Sequence, residues 1–194
     1  MVRWRLAITL FLILAVAVAG CVGNGDIGTA IDKWNKVADK TKEIRSLEEQ
    51  YVKAAEIDNV IIEAELAKDS PDFKKILPLL DKEQKILDDE RKLLEEKSSL
   101  ISEFAGATVN LNKEAKIYGN SALSNIREEH RYWTSSVDNS DRAIESLRMY
   151  YKTLDEKYYR QYEKYLNAAD SDATKSRLYN DKEYDDMKKL EALQ

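Results

Sequence analysis

The sequence is poor in the residues that build metal centres and tight turns. Its 194 residues include one cysteine, one histidine, two prolines and six glycines. A single cysteine excludes an intrachain disulfide or a thiolate metal cluster, and a single histidine excludes zinc and copper sites built from several histidines. Because prolines and glycines are so few, the chain has few of the residues that a fold with many turns needs. The composition therefore predicts an all-α protein.

The first twenty residues have the layout of a secretory signal. Arg3 and Arg5 give a basic start, and residues 6–20 form an uncharged and largely apolar run. A short basic region followed by a short apolar core is typical of a signal peptide. The alternative is an uncleaved membrane span, for which residues 6–22 are short against the roughly 20 residues that a bilayer requires. In either case the arginines stay in the cytoplasm and the rest of the chain lies outside.

The only cysteine lies where cleavage of such a signal is expected. The residues directly before Cys21 are Val18, Ala19 and Gly20. Together they resemble the lipobox of prokaryotic lipoproteins, bacterial or archaeal. The resemblance implies that 1–20 is a signal peptide and that Cys21 becomes a lipidated first residue, which anchors the protein to the extracytoplasmic face of the cell membrane. In a bacterium with two membranes, Val22 implies the outer one.

The charge of the remaining chain bears on its partners. Residues 21–194 carry 29 basic and 36 acidic side chains, a net charge of −7. Nucleic-acid affinity comes largely from lysines and arginines that neutralise phosphates. An acidic extracytoplasmic protein does not match that requirement, so we expect no nucleic-acid partner.

Four regions follow from glycine content and hydrophobic period. The signal, 1–20, is followed by a glycine-rich stretch, 21–28, which predicts a flexible tether. Apolar residues then recur every three or four positions and predict a bundle of long helices over 29–169. A polar break at 169–172 predicts a separate, charged C-terminal helix over 170–194 that docks loosely or frays.

The bundle is expected to be elongated, with three to five helices. The first helix is predicted to run from residue 28 to about Lys68, roughly 60 Å at 1.5 Å per residue. Ser70 as cap and Pro71 at the first helical position predict the start of the next helix. From residue 111 the helical period continues to about Asn167. We favour one helix across 138–141, and the alternative is a tight turn there.

A seven-residue repeat runs through the second helix. Four blocks follow one another from residue 79, and each opens with an apolar pair, whose second members are Leu80, Leu87, Leu94 and Ile101. This period predicts coiled-coil-like packing. The half-heptad positions four residues later are polar: Gln84, Arg91 and Ser98. A half-apolar seam favours packing inside an intramolecular bundle over a free-standing dimer.

No pattern of catalytic or metal-binding residues stands out. His130 lacks the glutamate three residues earlier that a carboxylate-bridged metal site needs, because Arg127 occupies that position, so we expect a histidine at the edge of the apolar stripe. Ala143 and Lys175 stand where calcium loops need glycine. There is no nucleophile elbow and, after the tether, no glycine-rich phosphate loop. We therefore expect a non-enzymatic protein with no cofactor and no metal.

Tyrosine is concentrated towards the C-terminus. Eight of the eleven tyrosines lie in the last 45 residues: Tyr150, Tyr151, Tyr158, Tyr159, Tyr162, Tyr165, Tyr179 and Tyr184. Those in the apolar stripe are expected to pack one end of the bundle. Tyr150, Tyr159 and Tyr162 are the candidate binding residues, since exposed tyrosines beside basic side chains are typical of protein-binding or glycan-stacking surfaces.

Two functions are compatible with these features. The first is a lipid-anchored spacer or protein-interaction module of the cell envelope, with the membrane and an envelope protein as partners. The second is an envelope-glycan or small-ligand binder that uses the tyrosine-rich end. The sequence leaves the oligomeric state and the host open.

Overall fold

The structure is a computed structural model that describes the backbone of residues 2–69 and 72–194 and the side chains of 26–65, 67–69 and 72–194. Its four helices are α1 (Val2–Leu66), α2 (Phe73–Val109), α3 (Lys113–Thr153) and α4 (Glu156–Glu191). The described residues contain no strand. The predicted all-α helical bundle is confirmed.

Successive helices pack as antiparallel hairpins joined by short connections. Helices α2, α3 and α4 have 37, 41 and 36 residues, which corresponds to roughly 55–60 Å each. The pair α3 and α4 packs most extensively, whereas the neighbouring helices α1 and α4 make few contacts with each other. The turns between α1 and α2 and between α3 and α4 lie at one end of the bundle, which we call the distal end.

Each helix after α1 begins at a side-chain cap. The carboxylates of Asp72 and Asp155 accept hydrogen bonds from the backbone N–H two residues on, and Asn112 caps α3 through two such bonds. These caps satisfy backbone donors that the first turn leaves free. The predicted start of α2 is corrected here: Asp72 is the cap and Phe73 is the first helical residue, while Ser70 and Pro71 lie outside the described residues.

The turn between α3 and α4 differs from the prediction. Helix α3 is continuous across 138–141, as favoured, but ends at Thr153. Leu154 then adopts a left-handed conformation with φ of 55°, and its N–H donates to the carbonyl of Tyr150. The predicted break at 169–172 is wrong, because α4 runs through it without interruption.

Both ends of the predicted bundle also need correction. Helix α4 does not fray: Met187 and Leu190 near its end are buried in the core. At the other end, residues 26–28 of the predicted tether are helical, and Ile27 is 1% exposed. The folded body therefore begins by Asp26, and residues 21–25 of the tether lie outside the residues described with side chains.

Two hydrophobic clusters fill the bundle. The proximal cluster is built around Ile27, Trp34, Phe104, Ile126 and Leu190. The distal cluster includes Ile44, Leu80, Leu87, Trp133 and Ile144. All four members of the predicted leucine column on α2 are buried, the first three in the distal cluster and Ile101 in the proximal one.

The second buried column of α2 lies three residues after the leucines rather than four. It consists of Ile76, Glu83, Glu90, Lys97 and Phe104. Gln84 and Arg91, which the half-heptad reading placed on the seam, are instead half-exposed, and Ser98 is exposed. The centre of this column thus places three ionisable side chains inside the bundle, where unpaired charges are costly.

Candidate binding groove

A buried polar layer separates the two hydrophobic clusters. Lys97 of α2 and Glu129 of α3 form an ion pair, and both side chains are fully buried. Glu183 of α4 accepts a hydrogen bond of 3.0 Å from the indole Nε1 of Trp34 on α1. Each of the four helices therefore contributes one side chain to the layer. Such a layer favours one alignment of the four helices, because any shift strands a charge in an apolar cluster.

The carboxylates of this layer are only partly satisfied. Oε1 of Glu129 and Oε2 of Glu183 are buried without a hydrogen-bond partner. Burial and the nearby charge of Glu129 raise the pKa of Glu183. Because two ionised carboxylates at such close range repel each other, the layer is most stable when Glu183 carries a proton.

Seven residues before Lys97, about two helical turns closer to the distal end, Glu90 of α2 is bonded to Trp133 of α3. Its Oε1 accepts a 2.6 Å hydrogen bond from the indole Nε1 of Trp133. Burial raises the pKa of Glu90 to about 7, although this hydrogen bond opposes the shift. The ring of Trp133 also lies 5.4 Å from the guanidinium carbon of Arg45. Both polar groups of the Glu90–Trp133 pair are thus partnered inside the bundle.

Beyond these layers, α1 and α4 separate and leave a groove. Near the proximal end the two helices meet through Trp34 and Tyr184, whose rings are 5.0 Å apart. Closer to the distal end, Glu48 of α1 and Arg177 of α4 form an ion pair of 2.6 Å. From there to the distal end, cavities open between the helices over a floor formed by α2 and α3. We call this opening the α1/α4 groove.

The α1/α4 groove consists of adjoining cavities. One, of about 160 Å³, reaches the floor at Leu87, Glu90 and Trp133. The next, of about 210 Å³, reaches it at Leu80, Glu83 and Ile144. Both are bounded by the same three wall residues, Tyr51 and Val52 of α1 and Leu166 of α4. Val52 is 45% exposed and Leu166 is 42% exposed, so each wall presents an aliphatic side chain to solvent.

A wider and more polar cavity adjoins the proximal end of the groove. It measures about 410 Å³ and is lined by charged side chains of both signs together with Val52. Three further aliphatic residues of α1 lie towards the distal end: Ile57, Val60 and Ile61 are 60%, 67% and 44% exposed. The groove therefore has a largely apolar floor that also carries Glu83 and Glu90, with mixed charges at its proximal mouth and exposed aliphatic residues further along α1.

The candidate tyrosines form one group at the distal end. The rings of Tyr150 and Tyr159 are 5.4 Å apart, and those of Tyr159 and Tyr162 are 5.8 Å apart. Tyr150 and Tyr162 are half-buried against the distal cluster, and Tyr159 is 39% exposed. The structure thus brings all three residues together, and Tyr162 also lines the α1/α4 groove.

The buried acids of the groove floor are functional candidates that the sequence reasoning missed. Glu83 and Glu90 were not singled out from the sequence, yet they are only 6% and 2% exposed. A signal was present, because both fall in a seven-residue column that begins at Ile76 and ends at Phe104. An apolar residue at each end of such a column indicates that its centre is also buried.

Other predicted site residues have different outcomes. Cys21 and its lipobox residues Val18, Ala19 and Gly20 lie outside the residues described with side chains. His130 is half-buried at the edge of the stripe, and burial lowers its pKa to about 4. Within the described part of the chain, no cluster of three or more histidine, cysteine or acidic side chains is arranged to hold a metal ion. No helix of that part is long and apolar enough to cross a membrane.

Comparison with known proteins returned no match: no family model fits the chain, and no curated protein or solved structure is significantly similar to it.

Proposed function

We propose that this protein is a lipid-anchored helical module on the outer face of the cell membrane. In this proposal it binds an envelope protein by accepting an amphipathic helix in the α1/α4 groove. Its role is binding rather than catalysis. The observation that carries the proposal is the groove itself, whose apolar floor is left open between two helices that flank it with exposed aliphatic side chains.

The geometry of the groove supports a helical occupant. The residues of α1 that line its two floor cavities run from Glu48 to Asn59, a length of roughly 18 Å or three helical turns. Recognition of an amphipathic helix by an apolar groove needs anchors at about this spacing. A fifth helix placed here would cover the floor and contact Val52 on one side and Leu166 on the other.

The proposed anchor explains why the body is long. Lipid on Cys21 would hold Asp26 within roughly 17 Å of the membrane, since a residue spans at most about 3.5 Å. The groove begins 22 residues further along α1 and ends 33 residues further, which places it roughly 33–50 Å beyond Asp26. The proximal half of the bundle then acts as a spacer that presents the groove away from the lipid surface.

The anchoring part is tested with Cys21→Ser. Wild type should incorporate a tagged fatty acid or isoprenoid precursor matched to the lipids of the host, because Cys21 is the only thiol in the chain. Cys21→Ser should incorporate none and should lose the usual cleavage. Label that remains on the variant would refute the lipobox interpretation.

The binding part is tested by placing charge on the walls of the groove. Val52→Glu and Leu166→Glu should abolish co-purification of the partner from solubilised membranes, because each buries a carboxylate against the docked apolar face. Val109→Glu and Ile117→Glu are matched controls, since both residues are aliphatic, 64% exposed and at the opposite end. Equal capture by all four variants would exclude the groove as the docking site.

The alternative, an envelope-glycan or small-ligand binder, is supported by the ring group of Tyr150, Tyr159 and Tyr162. We rank it second, because Tyr150 and Tyr162 each pack against the distal cluster and leave less ring surface for a sugar.

A further inference from the structure

Glu83 is the one acid on the groove floor whose carboxylate has no counterpart. Glu90, its neighbour one heptad away, is bonded to Trp133. Glu83 is 6% exposed and lines the 210 Å³ cavity. Its oxygens are not among the fully enclosed polar atoms without a partner in the described residues, so the carboxylate is open to the cavity. A buried carboxylate normally has a partner, because leaving it without one costs several kcal/mol.

The charged groups around Glu83 do not supply that partner. On α1, Asp58 repels it, and Glu56 lines the same cavity. On α2, the Lys82 ammonium lies 3.7 Å from Oδ2 of Asp58 and is more than half exposed. The remaining titratable groups that face Glu83 are hydroxyls, those of Tyr51 on α1, Tyr151 on α3 and Tyr162 on α4. The charge of Lys82 attracts Glu83, but burial and the charge of Asp58 outweigh this attraction in the pKa of Glu83, and among the described residues no basic side chain lines the cavity.

The walls of the cavity are suited to an aliphatic chain. Around Glu83 they consist of Leu80, Ile144, Leu147, Ala55 and Leu166, with the rings of Tyr51 and Tyr162 beside them. A volume of about 210 Å³ has room for a chain of four or five heavy atoms, because an apolar cavity of about 150 Å³ already holds benzene. Aromatic faces next to a carboxylate also favour a cation, since both attract positive charge.

From this combination we propose that the Glu83 cavity binds an alkylammonium group, with the aliphatic chain against the leucine and tyrosine walls and the ammonium on the Glu83 carboxylate. The group belongs either to a free amine or to a lysine side chain. This proposal is argued from the surroundings of Glu83 and does not require that a partner helix docks in the groove. It can therefore fail while the proposed function holds, and the reverse is equally true.

The test uses the full chain in non-ionic detergent, labelled with 3-fluorotyrosine, and follows the ¹⁹F resonances of Tyr51 and Tyr162, assigned through their phenylalanine variants. The probe is n-butylammonium at millimolar concentration, and 1-butanol is its neutral counterpart. We expect n-butylammonium to shift both resonances in a saturable manner and 1-butanol to bind at least tenfold more weakly. Equal shifts from the two compounds would overturn the proposal.

Two variants test whether n-butylammonium binding requires the charge of Glu83. Glu83→Gln should weaken n-butylammonium binding at least tenfold. Glu183→Gln, at a buried acid outside the groove that is bonded to Trp34, should leave the affinity within twofold. Glutamine has the shape of glutamate without the charge, so Glu83→Gln is expected to fold at least as well as wild type. If Glu83→Gln binds n-butylammonium as wild type does, the proposal is wrong.

The pH dependence provides a second readout. Burial and the charge of Asp58 raise the pKa of Glu83 to about 7, whereas an alkylammonium stays charged to about pH 10. Affinity should therefore rise roughly tenfold from pH 6 to pH 8 as Glu83 ionises, and this rise should be absent in Glu83→Gln. A flat profile in wild type would contradict the assigned carboxylate.

A final comparison separates the two sources of the group. Nα-acetyl-lysine N-methylamide carries the same ammonium on a peptide backbone. If it binds like n-butylammonium, the cavity admits a lysine of a partner protein. If it binds tenfold more weakly while n-butylammonium still binds, the site is for a free amine. Failure of both probes to bind would refute the site.

Discussion

Replacement of Lys97 by methionine is expected to destabilise the bundle strongly and in a pH-dependent manner. Methionine retains most of the aliphatic length of lysine but has no charge. The change leaves the Glu129 carboxylate without its partner, although both side chains are fully buried in the polar layer. Loss of one member of a buried pair typically costs about 3–5 kcal/mol, because the remaining charge stays inside.

The loss in unfolding free energy is limited by the cost of protonating Glu129, which removes the unpaired charge. The variant can take up a proton on Glu129, and at pH 7 this costs about 1.4 kcal/mol for each pH unit above the ordinary glutamate pKa of about 4.3, or roughly 3–4 kcal/mol. The difference between the proteins should therefore shrink to about 1 kcal/mol at pH 5.

Urea unfolding followed by circular dichroism, on chains that begin at Asp26, measures this difference at pH 5, 6, 7 and 8. The matched control is the double variant Lys97→Met with Glu129→Gln, which removes both charges. It should recover most of the loss at pH 7. A loss in Lys97→Met below about 1 kcal/mol at pH 7, or one that does not change with pH, would refute the buried ion pair.

Four further outcomes are expected. Wild-type stability should fall as the pH rises from about 4.5 to about 7 and then level off, because over this range folded Glu90 holds a proton that the unfolded chain has lost. In urea titrations Glu90→Gln should remove up to about 3 kcal/mol of that fall. Leu87→Asp should unfold or loosen the bundle in thermal melts, since Leu87 is 1% exposed. Gly106→Ala should stabilise by about 0.5–1 kcal/mol, as a Cβ there meets nothing within 4 Å in a helix interior. Tyr162→Ala should lower the melting temperature by several degrees and Tyr159→Ala by less, because Tyr159 is the more exposed; equal shifts would contradict their placement.

The sequence predicted those parts of the fold that depend on local periodicity. Leucines spaced by seven on α2 predicted a buried column, and the structure buries all four members of it. The same period also contained the buried acids, but a glutamate at a periodic position is ordinarily solvated. Its burial here depends on partners from other helices, such as Trp133 for Glu90 and Trp34 for Glu183. Local periodicity cannot predict these pairs, because the two residues of each pair lie far apart in the sequence.

The turn between α3 and α4 was missed for a related reason. Left-handed residues at helix ends are usually glycine or asparagine, whereas here the position is held by Leu154 at a φ of 55°. The predicted break at 169–172 had the right composition for a turn, yet α4 continues through it. There Asp172 accepts a hydrogen bond of 2.7 Å from Ser135, and the carbonyl of Ala169 accepts one from Ser136 on α3. Tertiary contacts therefore override the local turn signal.

Docking of the C-terminal segment could not be predicted from its apolar content. Polar side chains attach α4 to its neighbours: Oδ2 of Asp186 accepts hydrogen bonds from Ser121 at 2.6 Å and Asn125 at 2.9 Å. The α1/α4 groove was equally inaccessible to sequence reasoning, because it arises from the separation of two helices. Its wall residues Val52 and Leu166 are exposed aliphatic side chains, and in the sequence they resemble the single apolar residues that are common on protein surfaces.

Site-specific photo-crosslinking in intact cells tests the central claim most directly. A benzophenone amino acid would replace Val52 or Leu166 on the groove walls, and Ile117, equally apolar and exposed, at the opposite end. Binding in the α1/α4 groove predicts that positions 52 and 166 both cross-link to one envelope protein, through a single segment with an amphipathic helical period, and that position 117 does not. Adducts at position 117 to the same extent, or adducts from 52 and 166 only to further copies of this chain, would contradict it.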